Sequence, residues 1–219
     1  MKVDELFMKK TENLIKLLKK AHPNARIALY FGDVFQLLVA VILSAQCTDK
    51  RVNMVTPGLF ARYPGVREFA DADIEELEKM IYSTGFYRSK AKNIRGAARE
   101  ILAKFGGEVP RRMGDLLTLP GVARKTANVV LSEGFGIQEG IVVDTHVMRL
   151  SLRLGFVPKA VGATKNAVRI EKELVKVVPK KDWGVFPHLL ILHGREVCVA
   201  RKPKCGECIL NEVCPKVGV

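Results

Sequence analysis

Residues 119–146 read LPGVARKTANVVLSEGFGIQEGIVVDTH, and this stretch decides how the rest of the chain is organised. Leu119 closes an apolar run, Pro120-Gly121 makes a turn, and helical spacing resumes near Arg124 through Ala127, Val130 and Leu131. The reading is helix, hairpin, helix. Such a hairpin presents backbone N–H groups at the start of its second helix, where the helix dipole adds partial positive charge, so it suits a phosphate rather than a base edge. Lys125 falls in the first turn of that helix and places an amine beside the held strand. A Gly-rich turn (Gly134, Gly136, Gly140) and the apolar run Ile141-Val142-Val143 then lead to Asp144, a carboxylate that the turn can fold back toward the amine.

Working outward, the charge is concentrated where a phosphate-binding face needs it. The 219 residues carry a formal net charge of +13 with a sequence pI near 9.7, which favours a polyanionic partner, nucleic acid first and an acidic membrane surface second. Residues 85–125 hold ten Lys or Arg against three Asp or Glu, a local +7, whereas residues 66–84 hold six acids and two bases. No apolar run approaches the ~20 residues needed to cross a bilayer. The longest, residues 34–43, is interrupted by Gln36 and reads as a buried helix. The start MKVDELFMKKTENL mixes acids with bases and has no small-residue cleavage site, so no leader is expected and the protein is placed in the cytoplasm or nucleoid.

The remainder is helical in period throughout. Residues 1–20 form one amphipathic helix with apolar positions at Val3, Leu6, Phe7, Leu14, Ile15, Leu17 and Leu18. Residues 35–45 are apolar almost all round and end abruptly at SAQCTD (residues 44–49), where Asp49 is expected to cap a helix over 50–63 and Cys47 to be a small buried thiol. A helix over 70–82, capped by Asp71 or Asp73, is broken at Gly85, and Phe86-Tyr87 stand beside Arg88, Lys90 and Lys92, a combination able to stack on bases and pin phosphates. Further helices are expected over 93–105, 146–154, 165–178 and 184–195. Strand alternation persists nowhere, so the class is all-α.

Cys198, Cys205, Cys208 and Cys214 follow the pattern C-x6-C-x2-C-x5-C. Four thiols this close in a chain read as cytosolic are a metal site rather than a disulfide framework. Structural zinc ordinarily shows two C-x2-C pairs and this chain has one, while the longer arms suit a cuboidal four-iron cluster. Arg201, Lys202 and Lys204 lie between the first two thiols, and holding both ends of that loop presents the three bases to a phosphate.

LPGVARKTANVVL followed by VDTH resembles the helix-hairpin-helix, Gly/Pro-rich loop and catalytic aspartate of the endonuclease III family of DNA glycosylases, and the cysteine spacing is similar to that family's 4Fe-4S motif. The resemblance runs from about residue 5 to the end. It implies two helical domains flanking a cleft: a six-helix domain over roughly residues 26–138 that carries the hairpin, and a second built from residues 1–25 plus 139–219 that carries the cluster. It assigns Lys125 as Schiff-base nucleophile and Asp144 as catalytic carboxylate. Gln46 and Phe86 match the residues that fill the space left by an everted nucleotide, and Gly121, Ala123 and Arg124 belong to the phosphate-gripping hairpin. Ala123 departs from the family's usual glycine, at a cost of roughly 1–2 kcal/mol if the position needs a left-handed backbone.

The implied activity is a bifunctional glycosylase and abasic-site lyase acting as a monomer on double-stranded DNA with an oxidised pyrimidine or abasic site. The neutral Lys125 it requires would have to be made by burial or by cationic neighbours such as Arg124. A monofunctional glycosylase of the same fold would lack the nucleophilic lysine, and a binding module without catalysis would have no use for Asp144.

Overall fold

A computed structural model describes residues 5–219; Val3 and the rest of the first four lie outside the described residues. Among the described residues every regular element is helical. The chain divides into two compact units, one formed by the described residues up to Ile27 together with Gly140–Val219, the other by Ala28–Glu139.

The first helix, α1 (Glu5–Ala21), turns Leu14, Ile15 and Leu18 inward and its lysines outward, as its amphipathic period requires. The unit of Ala28–Glu139 is then built around α2 (Val34–Ser44), which is buried from Phe35 through Leu43 with the exception of Gln36. Asp33 caps α2 by accepting from the N–H of Gln36. The following helix, α3 (Asp49–Arg62), is capped not by Asp49 but by Thr48, whose hydroxyl accepts from Arg51 N–H. Asp49 instead lies in the first turn, where its charge complements the helix dipole.

The helix expected over 70–82 begins four residues later, at Ile74, and a further short helix that was not expected lies before it. A short α4 (Val66–Ala70) precedes α5 (Ile74–Ile81), and Asp73 caps the latter through Glu76 N–H. Asp71 closes α4 instead. Phe69 of α4 anchors an aromatic cluster with Phe35, Phe60 and Tyr63, at ring-centre distances of 5.4, 6.5 and 5.3 Å. Burial of Phe69 has no periodic signal in five residues, so the sequence did not announce it. The long α6 (Tyr87–Phe105) begins six residues earlier than its apolar period implies, directly after the left-handed Phe86. A short α7 (Met113–Leu116) leads to the hairpin, and α8 (Arg124–Val129) continues as a π-helical turn over Val130–Gly134. Gly134 is therefore helical rather than part of a turn. A Cβ there would sit 2.8 Å from Val34 Cγ1, so glycine is what lets this turn close on α2.

In the other unit, α9 (Thr145–Arg153), α10 (Lys159–Gly162), α11 (Ala167–Val177) and α12 (Val185–Glu196) share one core with α1. Leu14, Leu150, Leu174, Phe186 and Leu190 are at its centre, and Phe156 meets Phe186 edge to face at 5.1 Å. Leu210 brings the cysteine-rich end into the same core. No helix among the described residues is long and apolar enough to cross a membrane.

Candidate functional site

The hairpin is set by one backbone requirement. Gly121 has φ +77°, and a Cβ on it would meet Asn93 Cβ of α6 at 2.8 Å, so both conformation and close approach demand glycine. Ala123 does not share the requirement. Its φ of −90° and ψ of 170° are ordinary extended backbone, and the strain expected of an alanine there does not arise. Ala123 is the N-cap of α8 but offers no side-chain cap, so the start of the helix is not sealed by a side-chain oxygen. Lys125 lies in this first turn and is exposed, as are Gly121, Ala123 and Arg124. Of the two routes expected to favour a neutral Lys125, burial or cationic neighbours, the protein does not supply burial, and Arg124 adjoins it in the chain.

Asp144 is the N-cap of α9. Its Oδ1 accepts from Val147 N–H at 2.8 Å, which fixes the carboxylate on a half-buried helix terminus.

Gln46 and Phe86 are both exposed and both in left-handed backbone, with φ of +52° and +49°. Phe86 is 65% exposed, which excludes a place in the core. Left-handed backbone costs a non-glycine residue about 1–2 kcal/mol. Five such residues occur among those described, Gln46, Phe86, Lys165, Lys202 and Lys216, and three of them are positions singled out as DNA contacts from sequence. Strain of this kind gathers where a side chain must be aimed outward. Beside Phe86, the ring of Tyr87 meets Tyr82 at 4.8 Å between ring centres with the planes tilted by 51°, and lies under the Arg88 guanidinium at 5.4 Å. Lys90 departs from its expected role. It is buried, and its ammonium donates to the carbonyls of Leu43 and Thr84, each at 2.8 Å, so it cannot pin a phosphate. Cys47 is half-buried rather than buried.

At the carboxyl end the four cysteines line one cavity with Arg153, His193, Pro203 and Lys204. Among the described residues no three His, Cys, Asp or Glu converge so as to hold a single metal ion. A cuboidal cluster places each thiolate on a different iron, so thiols spread around a cavity fit it where a mononuclear zinc site would not. The donors around the sulfurs agree. Leu210 N–H donates to Cys208 Sγ and Lys216 N–H to Cys214 Sγ, each at 3.4 Å, and Arg153 Nη1 to Cys198 Sγ at 3.5 Å. Burial, reinforced by the neighbouring thiols, pushes the Cys208 and Cys214 thiols above the ordinary cysteine range, a penalty that cluster iron would offset.

Two arginines of α9 hold the loop that sequence reasoning recognised only by its charges. Arg153 donates to Val199 O at 2.8 Å and Ala200 O at 2.9 Å; Arg149 donates to Gly194 O at 2.9 Å and Cys198 O at 3.1 Å. Burial draws the Arg149 guanidinium below its usual range, with Arg153 acting the same way and Cys198 opposing. Two arginines four residues apart on an otherwise amphipathic helix were the available signal, and their inward direction was not. His193 stands 3.4 Å from Cys208 Sγ and 3.2 Å from His22, and burial with that second ring lowers it to about 4. Arg201, Lys202 and Lys204 are all exposed on the loop so held.

Residues 39–180 match the HhH-GPD superfamily base excision DNA repair protein family, and residues 198–214 match the iron-sulfur binding domain of endonuclease III. The chain is 56% identical to endonuclease III of Synechocystis sp. over 92% of its own length and 90% of the relative's, and 41% identical to that of Escherichia coli K12 over 92% of each. It superposes on a non-covalent endonuclease III–DNA complex with a TM-score of 0.87 at 42% identity, covering 95% of both chains. A trapped endonuclease III–DNA covalent intermediate gives the same score and identity over 95% and 96% of the two chains. A thermostable thymine-DNA glycosylase at 22% identity, TM-score 0.83 over 95% and 97% of the chains, shares the fold. Hairpin, cysteine spacing and whole-length similarity agree: the chain belongs to the endonuclease III family of HhH-GPD base excision repair proteins, and its carboxyl end is an iron-sulfur domain carrying a 4Fe-4S cluster.

Proposed function

We propose that this chain is a bifunctional DNA glycosylase and abasic-site lyase, acting as a monomer in the cytoplasm or nucleoid on duplex DNA that contains an oxidised pyrimidine or an abasic site. The observation that carries the reading is an exposed lysine, Lys125, in the first turn behind a phosphate-suited hairpin, in a chain similar along its length to a relative trapped covalently on DNA. The hairpin around Gly121, Ala123 and Arg124 grips backbone phosphate, and Arg201, Lys202 and Lys204 add contacts that neutralise further phosphates.

The target nucleotide leaves the stack, and Gln46 and Phe86 occupy the space it vacates. Lys125 acts through its neutral amine, the form that carries the nucleophilic lone pair. Lys125 Nζ attacks C1′ of the sugar, the glycosidic bond breaks, and the base departs with the bonding electrons and a proton. Asp144, with one oxygen committed to its cap, offers its negative charge to the cationic sugar. Ring opening gives a protonated Schiff base. Loss of a proton from C2′ then expels the 3′ phosphate, and water hydrolyses the Schiff base to free Lys125.

Cys198, Cys205, Cys208 and Cys214 hold the cluster. When bound it supplies a rigid anchor for the loop of Arg201, Lys202 and Lys204, and no bond-making step depends on it.

Borohydride added during turnover is expected to reduce the Schiff base and leave a covalent protein–DNA adduct, and Lys125→Ala is expected to give none. An adduct that survives this substitution would overturn the assignment of the nucleophile. Nicking of an abasic duplex in chelator separates this reading from a monofunctional glycosylase or a DNA-binding module, neither of which cuts the strand.

A further inference from the structure

Lys90 is the one buried lysine among the described residues that the proposed chemistry leaves without a task. Only 4% exposed, it reaches out of the first turn of α6 to two carbonyls at the ends of different helical segments, each just ahead of a loop. Leu43 O lies at the carboxyl end of α2, three residues before Gln46; Thr84 O lies two residues before Phe86. The neighbouring terminal carbonyls of α2 have their own partners: Ser44 Oγ donates to Val41 O, Ala45 N–H to Ile42 O and Cys47 N–H to Ser44 O. Leu43 O takes the lysine. On the other side, Lys90 N–H also donates to Phe86 O at 3.0 Å, and Thr84 Oγ1 donates to Ile81 O, so the turn bearing Phe86 is fixed by side chain and backbone together.

The geometry points to Lys90 as a positioning residue that ties the Gln46 loop to the Phe86 loop, so that both side chains enter one gap in the duplex at a set spacing. The inference rests on the glycosylase reading given above. Three features make a bare packing role insufficient. A buried lysine is costly, whereas an apolar side chain could fill the same volume. The ammonium spends its donors on carbonyls from two segments, one leading to each loop, rather than on a carboxylate. Both loops end in left-handed non-glycine residues, whose outward aim survives only if the backbone on each side is held. Burial draws the Lys90 ammonium below the usual lysine range, with Cys47 opposing, and either protonation form retains the two N–H groups the tie needs.

The test compares two reactions on the holoenzyme. One is excision of a paired thymine glycol, which requires the gap to be opened and filled; the other is nicking of a preformed abasic duplex, which has no base to unstack. With Lys90→Met, excision is expected to fall about tenfold or more and abasic nicking no more than about threefold, as loss of buried charge-assisted hydrogen bonds at the loops alone implies. Fluorescence of a 2-aminopurine next to the lesion, a signal of local unstacking, falls with excision. In a Phe86→Ala background Lys90→Met costs less than in wild type, because the two changes act through one loop. Equal losses in both reactions, additive costs with Phe86→Ala, or an unchanged ratio would each overturn the assignment. If Lys90→Met does not fold, Lys90→Gln, which keeps an amide donor on a shorter arm, is read by the same ratio and criterion. A wild-type protein that neither excises nor nicks would instead count against the glycosylase reading.

Discussion

Replacing Arg153 by methionine should loosen the cluster loop by an amount that can be worked from its contacts. The guanidinium is 9% exposed and donates to Val199 O at 2.8 Å and Ala200 O at 2.9 Å. A hydrogen bond from a charged group is worth about 1.5–3 kcal/mol net, so two dry bonds would total about 3–6 kcal/mol. Ala200 is exposed and water can replace its share, whereas Val199 is half-buried and its carbonyl is less easily rehydrated. The expected cost is therefore about 2–4 kcal/mol, with loss of the Cys198 contact at the weak end of the scale. For a chain of this size each kcal/mol moves a melting transition by about 2–4 °C, giving a fall of roughly 5–15 °C. The assay is the visible absorbance of the cluster followed on heating, beside far-ultraviolet dichroism. Arg153→Lys, with one short-reaching ammonium, should fall between the two. A methionine variant that keeps its cluster and melts with wild type would refute the claim that α9 holds this loop.

Gly121→Ala should cost about 1–3 kcal/mol and weaken binding of an abasic duplex, because it meets both a positive φ and the Asn93 side chain. The opposite change nearby, Ala123→Gly, should leave binding unchanged and lose about 0.4–1 kcal/mol through the unfolded chain, which thermal melting can resolve. The Arg62, Tyr63 and Glu76 cluster predicts a pH signature at both ends. Hydrogen bonds from Arg62 and Tyr63 hold the Glu76 carboxyl below its ordinary range, so its contribution is complete above the unfolded value of about 4.3 and is lost as pH falls through the lower folded value. Burial first, then Glu76, push the Tyr63 phenol up to about 12. Its contribution is thus complete below the unfolded value of about 10 and lost as pH rises through about 12. Urea midpoints measured against pH should lose the acid feature in Glu76→Gln and the alkaline one in Tyr63→Phe; unchanged profiles would show that the cluster does not report on folding.

Much of the fold was legible because helices leave a period of 3.6 in the chain. The apolar positions of α1, the all-round burial of α2, and a cap at Asp71 or Asp73, of which the fold uses Asp73 for α5, follow from residue type and spacing. The exceptions have local causes. Thr48 and Asp49 are adjacent and both accept hydrogen bonds, so which one caps α3 depends on where the chain leaves α2. The short α4 is too brief to show a period and exists because Phe69 has an aromatic pocket to fill.

The same division runs through the site. Residue order by itself determined the hairpin, the first-turn lysine, the carboxylate 19 positions on and the four thiols, since each of these is a spacing along one chain. Only the tertiary structure decided which charges face water. Lys90 and Arg88 look alike in a basic run, yet one ties two loops from inside and the other is largely exposed over a tyrosine ring. Arg149 and Arg153 likewise turn inward to carbonyls more than forty residues away. Sequence carries the charge of a side chain and the local conformation of its backbone, but the partner that satisfies a buried donor is chosen by distant segments, and that choice exists only once the chain has folded.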